Sequence, residues 1–283
     1  IIARIVRSPI ALRVSPRVPP MPAKTTATAA SAIDRRDLIE GLGKGLRVIE
    51  AFDEDHAQLT ASQVAERTQI TRTAARRYLL SLVHFGYAAT DGKQFWLAPR
   101  VLRLGQSYLG TARLPRLVQP FIQRVAQQIG HTVNASVLDG HEVVYIARSS
   151  PPRWVTIGYG VGVRIPAHVV TPGFVVLATL ADDEFEPWLA EHDFVAYTPH
   201  TVVSRATFRS QVRQARALGY WHTEQQLDAG LRGVAVALLD RKGRCRGAVG
   251  TTMPMTAYRN AEHMLETVLP PLQEAAQGMR PLL

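Results

Sequence analysis

The sequence predicts an α+β chain in two parts: an N-terminal winged helix-turn-helix, then an antiparallel sheet flanked by helices. Two short helices joined by a tight turn, with a hairpin directly after them, indicate the first part. Strand and helix patterns that alternate after residue 130 indicate the second part. The length of 283 residues fits two domains.

The second helix of the tandem is predicted to begin after Thr71, a good N-cap, and to run without Gly or Pro up to Gly86. At about 100° per residue, apolar side chains share one face: Ala75, Tyr78, Leu79 and Leu82. Polar and cationic side chains occupy the opposite face and its flank: Thr73, Arg77, His84, Arg72 and Arg76. Taken alone, this periodicity favours an ordinary amphipathic helix with a solvated basic face.

Elements before the second helix complete the tandem. Thr60 or Ser62 is predicted to cap the first helix, and the small Ala65 allows a close helix crossing. A preceding amphipathic helix is predicted over residues 38–52, with an inward face formed by Leu42, Leu46, Ile49 and Phe52.

The hairpin after the second helix makes the DNA-binding interpretation specific. Residues 87–90 and 93–97 have strand patterns, and Asp91-Gly92 is a strong two-residue turn signal. A hairpin at this place is the wing, with Lys93 at its tip near a phosphate or the minor groove. The predicted DNA-binding residues are Ser62, Gln63, Thr71, Arg72, Thr73, Arg76, Arg77 and Lys93.

Charge and composition agree with a polyanionic partner. The formal net charge is +10, and residues 95–130 contain five arginines and no acid. The single cysteine, Cys245, excludes an internal disulfide and predicts a reducing, cytoplasmic location; its arginine neighbours would lower its thiol pKa. No apolar run approaches the roughly 20 residues of a membrane helix, so no membrane partner is predicted.

Residues 1–32 are expected to be a disordered basic leader, because they contain no acid and five prolines. Met21 is expected to be the native initiator, with a translated upstream leader before it. The predicted division after the leader is a winged helix-turn-helix over 33–99, a linker helix over 100–114 and a second domain over 115–283. The linker helix is amphipathic and is a natural dimer contact.

In the second domain, six strands are predicted, over residues 131–138, 142–147, 154–159, 220–226, 233–240 and 247–253. Helices are predicted over 115–129, 174–181, 182–189, 204–218 and 256–278.

The sequence shows no chemistry of catalysis, metal binding or cofactor binding. It has no G-x-S-x-G, P-loop or G-x-G-x-x-G motif, and its nine histidines lack metal-ligand spacing. The better hypothesis is a small-ligand pocket where Thr171 caps a helix with Pro172 at its first position and Gly173 next, since free N–H groups there attract a carboxylate. The strand after Gly233 and the residues around Gly250 would face it; a tight helix–sheet junction without ligand is the alternative.

Three sequence blocks resemble the IclR family of bacterial transcription regulators, and residues 38–275 share the resemblance. The blocks are Gly45–Phe52, Arg72–Leu79 and Phe95–Gly105, and shorter matches follow at Tyr145–Arg148 and Leu227–Arg232. The second and third blocks are most similar to the regulators of protocatechuate, β-ketoadipate and 4-hydroxybenzoate catabolism.

The resemblance implies a GAF-like effector domain and a dimer or tetramer on a palindromic operator. By position it places the effector pocket at Thr171, Pro172, Thr223, Gly233, Gly250 and Thr252. Ile157, His168, Gly173 and Gln226 complete the predicted set. The chain departs from the family at 171–174, Thr223, Gln226 and Gly233, so its pocket is expected to be less acidic. Gln69 replaces a common turn glycine at an expected small cost.

The resulting hypothesis is a ligand-responsive regulator of aromatic-acid catabolism genes. Its expected partners are double-stranded DNA, a small organic acid and further copies of itself, with RNA polymerase added if it is an activator. Two alternatives stay open: a constitutive DNA-binding regulator whose second domain only dimerises, and an enzyme with an accessory DNA-binding domain.

Overall fold

The computed structural model describes residues 33–53, 55–151 and 159–283. The predicted leader, Ile157 and most of the strand predicted over 154–159 therefore lie outside the described residues. The described chain divides into two compact units, the first ending at Arg116 and the second beginning at Leu117. Each unit is built around its own sheet.

The first unit is a winged helix-turn-helix. Its helices are α1 (Glu40–Glu50), α2 (Ala61–Thr68), α3 (Arg72–His84) and α4 (Leu102–Thr111), with 3-10 turns at Arg35–Asp37 and Pro99–Val101. Its strands are β1 (Leu59–Thr60), β2 (Ala88–Thr90) and β3 (Gln94–Leu97), arranged in the order β1-β3-β2. The short strand β1 was not predicted; it pairs antiparallel with β3 and closes the wing against the tandem.

The predicted inward face of α1 is wrong at its two leucines, whereas Phe52 packs against the core of the unit as predicted. The structure buries Val48 and Ala51, whereas Leu42 is 64% exposed and Leu46 is 45% exposed. The side of α1 that carries Gly41 and Gly45 lies next to Tyr78 on α3, since a Cβ added at Gly41 would lie 3.5 Å from the Tyr78 hydroxyl oxygen. The leucines of α1 point outward instead.

The α2–α3 turn contains a strained residue. Gln69 has a φ of 55°, in the left-handed region that favours glycine. The expected small cost at this position is therefore wrong, since a side chain there costs of order 1 kcal/mol. The Gln69 side-chain amide partly offsets that cost by donating to the carbonyl oxygen of Glu66 at 2.7 Å.

Arg67, near the end of α2, is a structural residue. Its Nε donates to the carbonyl oxygen of Ala51 at 2.9 Å, and its Nη2 donates to the carboxylate of Asp53 at 2.5 Å. The guanidinium thus joins the end of α2 to the end of α1. Its charge is already paired, and it does not add to the cationic surface available to DNA.

The turn of the wing is longer than the predicted two residues. Thr90 pairs with Phe95, so residues 91–94 make the connection. The Asp91 carboxylate accepts from the N–H groups of Lys93 (2.9 Å) and Gln94 (2.7 Å), and Gly92 has a φ of 96°. The Asp-Gly pair therefore fits the turn because Asp bonds its own backbone and Gly tolerates positive φ.

The second unit has a six-stranded antiparallel sheet in the order β6-β5-β4-β9-β8-β7. Its strands are β4 (Val133–Asp139), β5 (Glu142–Ser149), β6 (Arg164–Pro166), β7 (Trp221–Glu224), β8 (Leu231–Leu239) and β9 (Cys245–Pro254). Its helices are α5 (Arg113–Ile129), α6 (Thr171–Leu177), α7 (Asp182–Glu191), α8 (Arg205–Leu218) and α9 (Ala261–Met279). Sequence did not predict β6, which has only three residues and ends in proline.

Two helix starts in this unit differ from the predictions. Helix α6 begins at Thr171 rather than 174, and its N-cap is Val170. Helix α9 begins at Ala261 rather than 256, because the Asn260 side chain accepts from the N–H of His263 at 2.9 Å and caps it there. Every residue of α6 is buried, so the helix lies inside the domain, packed on the sheet.

Among the helices of the described chain, none combines the length and the apolar character that crossing a membrane requires.

Candidate functional site

The candidate DNA-reading surface is the outer face of α3. Thr71 caps the helix, and its side chain accepts from the N–H of Ala74 at 3.3 Å, as predicted. Ala75 and Leu79 are fully buried on the inner face. All of the predicted reading residues on this helix and its cap are exposed: Thr71, Arg72, Thr73, Arg76 and Arg77.

Three arginines on α3 are available to a polyanion. Arg72, Arg76 and Arg77 make no ion pair within the part of the chain that the structure describes. At the tip of the wing Lys93 is also exposed, and the nearby Asp91 carboxylate is engaged by the turn N–H groups. An exposed helix with unpaired guanidinium groups suits the major groove, where Arg contacts phosphates and guanine.

Ser62 and Gln63, the predicted residues on α2, have different environments. Both are exposed, but the Gln63 side chain is already part of a capping box. Its Oε1 accepts from the N–H of Thr60 at 2.9 Å, and the Thr60 hydroxyl accepts from the Gln63 N–H at 3.4 Å. Of the two caps considered from sequence, the structure therefore uses Thr60.

Replacing Thr60 with alanine is expected to destabilise the first unit by about 1 kcal/mol, because the Gln63 N–H at the start of α2 loses its side-chain acceptor. Urea unfolding of the full chain checks this. Ser62→Ala is the matched control, since Ser62 is exposed and lies two residues away on the same helix. Equal losses in the two variants would contradict the capping role.

A cavity of about 40 Å³ lies in the second unit on the α6 face of the sheet. It is lined by residues from β5, α6, the β7–β8 hairpin and β9: Tyr145, Tyr159, Val169, Val170, Thr171, Thr223, Gln225, Gln226, Leu227, Asp228, Leu231, Arg232, Gly233 and Thr252. The predicted effector residues that line it are Thr171, Thr223, Gln226, Gly233 and Thr252. Their role in ligand binding stays a prediction.

Strand register brings the hydroxyl groups of the cavity together. Thr223 and Thr252 both pair with Gly233, so all three share one face of the sheet. A Cβ on Gly233 would lie 3.3 Å from the Thr171 hydroxyl and 3.5 Å from the Thr252 hydroxyl. The glycine thus leaves space between two hydroxyls from different elements, which only the tertiary structure reveals.

The lining of the cavity also holds a phenol–carboxylate pair. The Tyr159 hydroxyl donates to the Asp228 carboxylate. Burial, together with this carboxylate, raises the pKa of the Tyr159 phenol, and burial raises the pKa of Tyr145. Both phenols therefore stay protonated near neutral pH, and Tyr159 acts as a donor.

Sequence reasoning missed these three residues as site residues. Tyr145 and Asp228 lie in blocks that carry the family resemblance, which was the available signal. Asp228 adds a carboxylate to the pocket that was expected to be less acidic.

Several predicted effector residues lie outside the lining. A Cβ on Gly173 would lie 2.0 Å from the carbonyl oxygen of Ala167, and one on Gly250 would lie 2.7 Å from that of Val234. These glycines are explained by close backbone packing. Pro172 is buried in the first turn of α6. Thr171 lies inside α6 instead of capping it, and the helix has only seven residues. The candidate donors to a carboxylate are therefore the threonine hydroxyls rather than the free N–H groups of this helix.

His168, also predicted as an effector residue, belongs instead to a buried chain of histidines. Its Nε2 donates to the carbonyl oxygen of Val195 at 3.0 Å, so its Nδ1 accepts from His192 Nε2 at 2.7 Å. His192 Nδ1 in turn accepts from His141 Nδ1 at 3.2 Å. Burial lowers the pKa of all three rings, for His192 to about 3. In its neutral form, this row of three histidines anchors the segment directly before α6.

No group of three or more metal-ligating side chains occurs in residues 33–53, 55–151 and 159–283. The histidine chain is linear and does not converge on one point. Burial raises the pKa of Cys245, so the expected lowering by neighbouring arginines is wrong. The desolvation of the thiolate exceeds the attraction of exposed guanidinium groups.

Comparison with known proteins decides the family. Residues 41–92 match the IclR helix-turn-helix domain, and residues 106–280 match the family described as bacterial transcriptional regulator IclR, C-terminal. This chain belongs to the IclR family. The predicted fold class and family are confirmed, and the protein is a DNA-binding transcription regulator.

Individual relatives cover most of this IclR-family chain. The p-hydroxybenzoate hydroxylase transcriptional activator of Acinetobacter baylyi is 36% identical over 260 residues, which cover 90% of this chain and 96% of that protein. The Pca regulon regulatory protein of Pseudomonas putida is 32% identical, over 92% of this chain and 90% of its own. A solved IclR homologue from Microbacterium hydrocarbonoxydans, complexed with 4-hydroxybenzoate, has a TM-score of 0.69 at 26% identity and covers 85% of this chain and 97% of its own.

Proposed function

We propose that this regulator controls genes of aromatic-acid catabolism and that its cavity binds the aromatic acid that signals for them. The observation that carries the proposal is the cavity in which Thr171, Thr223 and Thr252 surround the space left by Gly233. Relatives that are 32–36% identical regulate p-hydroxybenzoate or Pca genes, and a similar structure holds 4-hydroxybenzoate. Three hydroxyls that donate to a carboxylate, beside apolar walls, suit such a ligand.

The size of the cavity favours the second candidate, a constitutive regulator whose second unit only oligomerises. Its volume of about 40 Å³ holds a few waters, whereas a cavity that binds benzene measures roughly 150 Å³. An aromatic acid therefore needs side chains of the wall to move. Operator binding that no aromatic acid alters would support this second candidate.

The ligand test compares wild type with a hydroxyl deletion. Thr252→Val is expected to weaken binding of 4-hydroxybenzoate or protocatechuate about fivefold or more, because a carboxylate loses one buried donor of the cavity. Isothermal calorimetry measures the change. Thr256→Val, an exposed threonine four residues away, is the matched control and is expected to bind like wild type.

A calorimetric and thermal-shift screen of wild type with 4-hydroxybenzoate, protocatechuate and β-ketoadipate tests the proposal as a whole. Saturation at 100 times Kd would stabilise the folded state by about 2.7 kcal/mol. Binding of none of the three would overturn the aromatic-acid proposal. An equal loss of ligand affinity in Thr252→Val and Thr256→Val would mean that the ligand does not bind in the cavity.

The DNA-bound form is proposed to be a homodimer or tetramer on a palindromic operator, with reading helices about 34 Å apart. Exposed apolar side chains on helices of the first unit support this: Leu42, Leu46, Leu102, Leu104 and Tyr108. The ligand would act by changing the spacing of the DNA-binding units, to the extent that it binds two states unequally. Sedimentation of the full chain with and without operator DNA tests the assembly.

The remaining assignments complete the proposal. The regulator acts in the bacterial cytoplasm, contacts RNA polymerase if it is an activator, and has no enzymatic role. The working domain division is 33–99, 100–114 and 115–283. A turnover screen that finds activity would revive the enzyme alternative.

A further inference from the structure

The Tyr159–Asp228 pair joins two segments across the cavity. Tyr159 follows β5 in the chain, and Asp228 lies in the hairpin between β7 and β8. Both residues line the cavity, and neither is fully exposed. The backbone of Tyr159 is also held, because its carbonyl oxygen accepts from Arg148 Nη1 at 2.7 Å. The phenol–carboxylate bond therefore occupies a defined place in the wall.

Asp228 supplies the negative charge of the lining. Arg232 lines the cavity as well, but it pairs with Glu224 and Met253 across the sheet, on the face opposite Gly233. Its Nη2 lies 3.4 Å from the Glu224 carboxylate and its Nε donates to the sulfur of Met255. The arginine side chain thus does not neutralise Asp228 inside the cavity.

This charge fixes the orientation of an aromatic acid. A ligand carboxylate is repelled by Asp228 and is attracted to the hydroxyls of Thr171, Thr223 and Thr252. A phenolic hydroxyl on the ring has the opposite preference, since it is a good donor to a carboxylate. The site already contains such a bond, made by the phenol of Tyr159.

We propose that Asp228 is the specificity residue for a ring hydroxyl of the effector, whose phenol replaces Tyr159 as the donor to this carboxylate. The exchange conserves one phenol–carboxylate hydrogen bond and moves the Tyr159 side chain away from the cavity. It thereby supplies the room that an aromatic ring needs. This inference rests on the proposed function and deepens it, because it separates hydroxybenzoates from benzoate.

The test is a calorimetric cycle with the full chain, two ligands and two variants. Wild type is expected to bind 4-hydroxybenzoate at least about tenfold more tightly than benzoate, because benzoate leaves Asp228 without a donor when Tyr159 moves. Asp228→Asn is expected to reduce that ratio about tenfold, since the bond loses its charge. Tyr159→Phe is expected to tighten the binding of both ligands and to keep the wild-type ratio, because neither ligand then has to break the Tyr159–Asp228 bond.

The outcomes are distinct. A lower ratio in Asp228→Asn, together with tighter binding of both ligands at an unchanged ratio in Tyr159→Phe, supports the inference. Equal weakening of both ligands in Asp228→Asn, at an unchanged ratio, marks a structural role and overturns it. Binding of benzoate as tightly as 4-hydroxybenzoate by wild type overturns the inference and leaves the proposed function standing. Failure of all four acids to bind wild type overturns both.

Discussion

Replacing Arg76 and Arg77 together with alanine is expected to weaken operator binding by roughly 30-fold or more, at about 1–3 kcal/mol for each base-reading arginine. Both side chains are exposed on α3, and neither is held by an acid in the described chain. Their full charge is therefore available to phosphate or guanine. Fluorescence anisotropy with operator and random duplexes, at several salt concentrations, measures the effect.

The two kinds of contact give different results in that measurement. If the arginines bind phosphates, affinity falls on both duplexes and the salt slope decreases by about 0.9 for each lost contact. If they read bases, the loss is larger on the operator. Arg241→Ala with Arg246→Ala is the matched control, because it removes two exposed charges from the second unit. An equal loss of DNA affinity in this control would mean that the effect of the α3 arginines comes from net charge alone.

The second unit is expected to lose about 2 kcal/mol of stability between pH 7.5 and pH 5 through His192 alone. Burial lowers the pKa of His192 from 6.5 to about 3, so the folded state keeps the ring neutral. The unfolded chain takes up a proton below pH 6.5. Stability is therefore complete above that pH and is lost progressively as the pH falls toward 3.

The surroundings of the histidine chain do not reverse this sign. His141 and His168 also have a lowered pKa, so their losses add to that of His192. The carboxylate of Glu191 lies 4.0 Å from His141 Nε2, at the outer end of the chain. Arg205, which donates to the carbonyl oxygen of His192, disfavours a charge on the ring.

Urea unfolding at several pH values, followed by tryptophan fluorescence, measures this dependence, since the ring of Trp188 stacks on His192 at 4.5 Å. His192→Gln is expected to flatten the dependence even if it lowers stability at every pH. His200→Gln removes an exposed histidine nearby and is expected to keep the wild-type slope. If His192→Gln leaves the slope of stability against pH unchanged, the histidine chain is not the cause of the pH dependence.

Features that depend on residues close together in the sequence were predicted more accurately than features that depend on distant residues. The cap at Thr71 was predicted because it involves neighbours a few residues apart. The face of α1 was predicted wrongly because leucines outweigh glycines in a hydrophobic pattern. Only the approach of Tyr78 shows that the glycine side is the packed one.

The candidate pocket likewise depends on residues that lie far apart in the sequence. Thr171, Thr223, Gly233 and Thr252 were placed by resemblance, and their encounter depends on the register between three strands and the position of α6. Gly173 and Gly250 look like pocket glycines in the sequence. The structure shows backbone contacts that a Cβ would prevent. Asp228 was not predicted, because nothing local indicates that Tyr159, 69 residues away, donates to it.

The sequence by itself determined the winged helix-turn-helix, the arginine face of α3, the antiparallel second unit and the family. These depend on periodicity, capping and turn chemistry, which act over a few residues, and on long blocks of resemblance. Only the tertiary structure decided that Arg67 is structural, that three histidines form a buried neutral chain, and that a carboxylate shares the cavity with threonine hydroxyls. These features depend on the partner that each polar group meets, because burial makes an unpartnered polar group costly and folding chooses the partner.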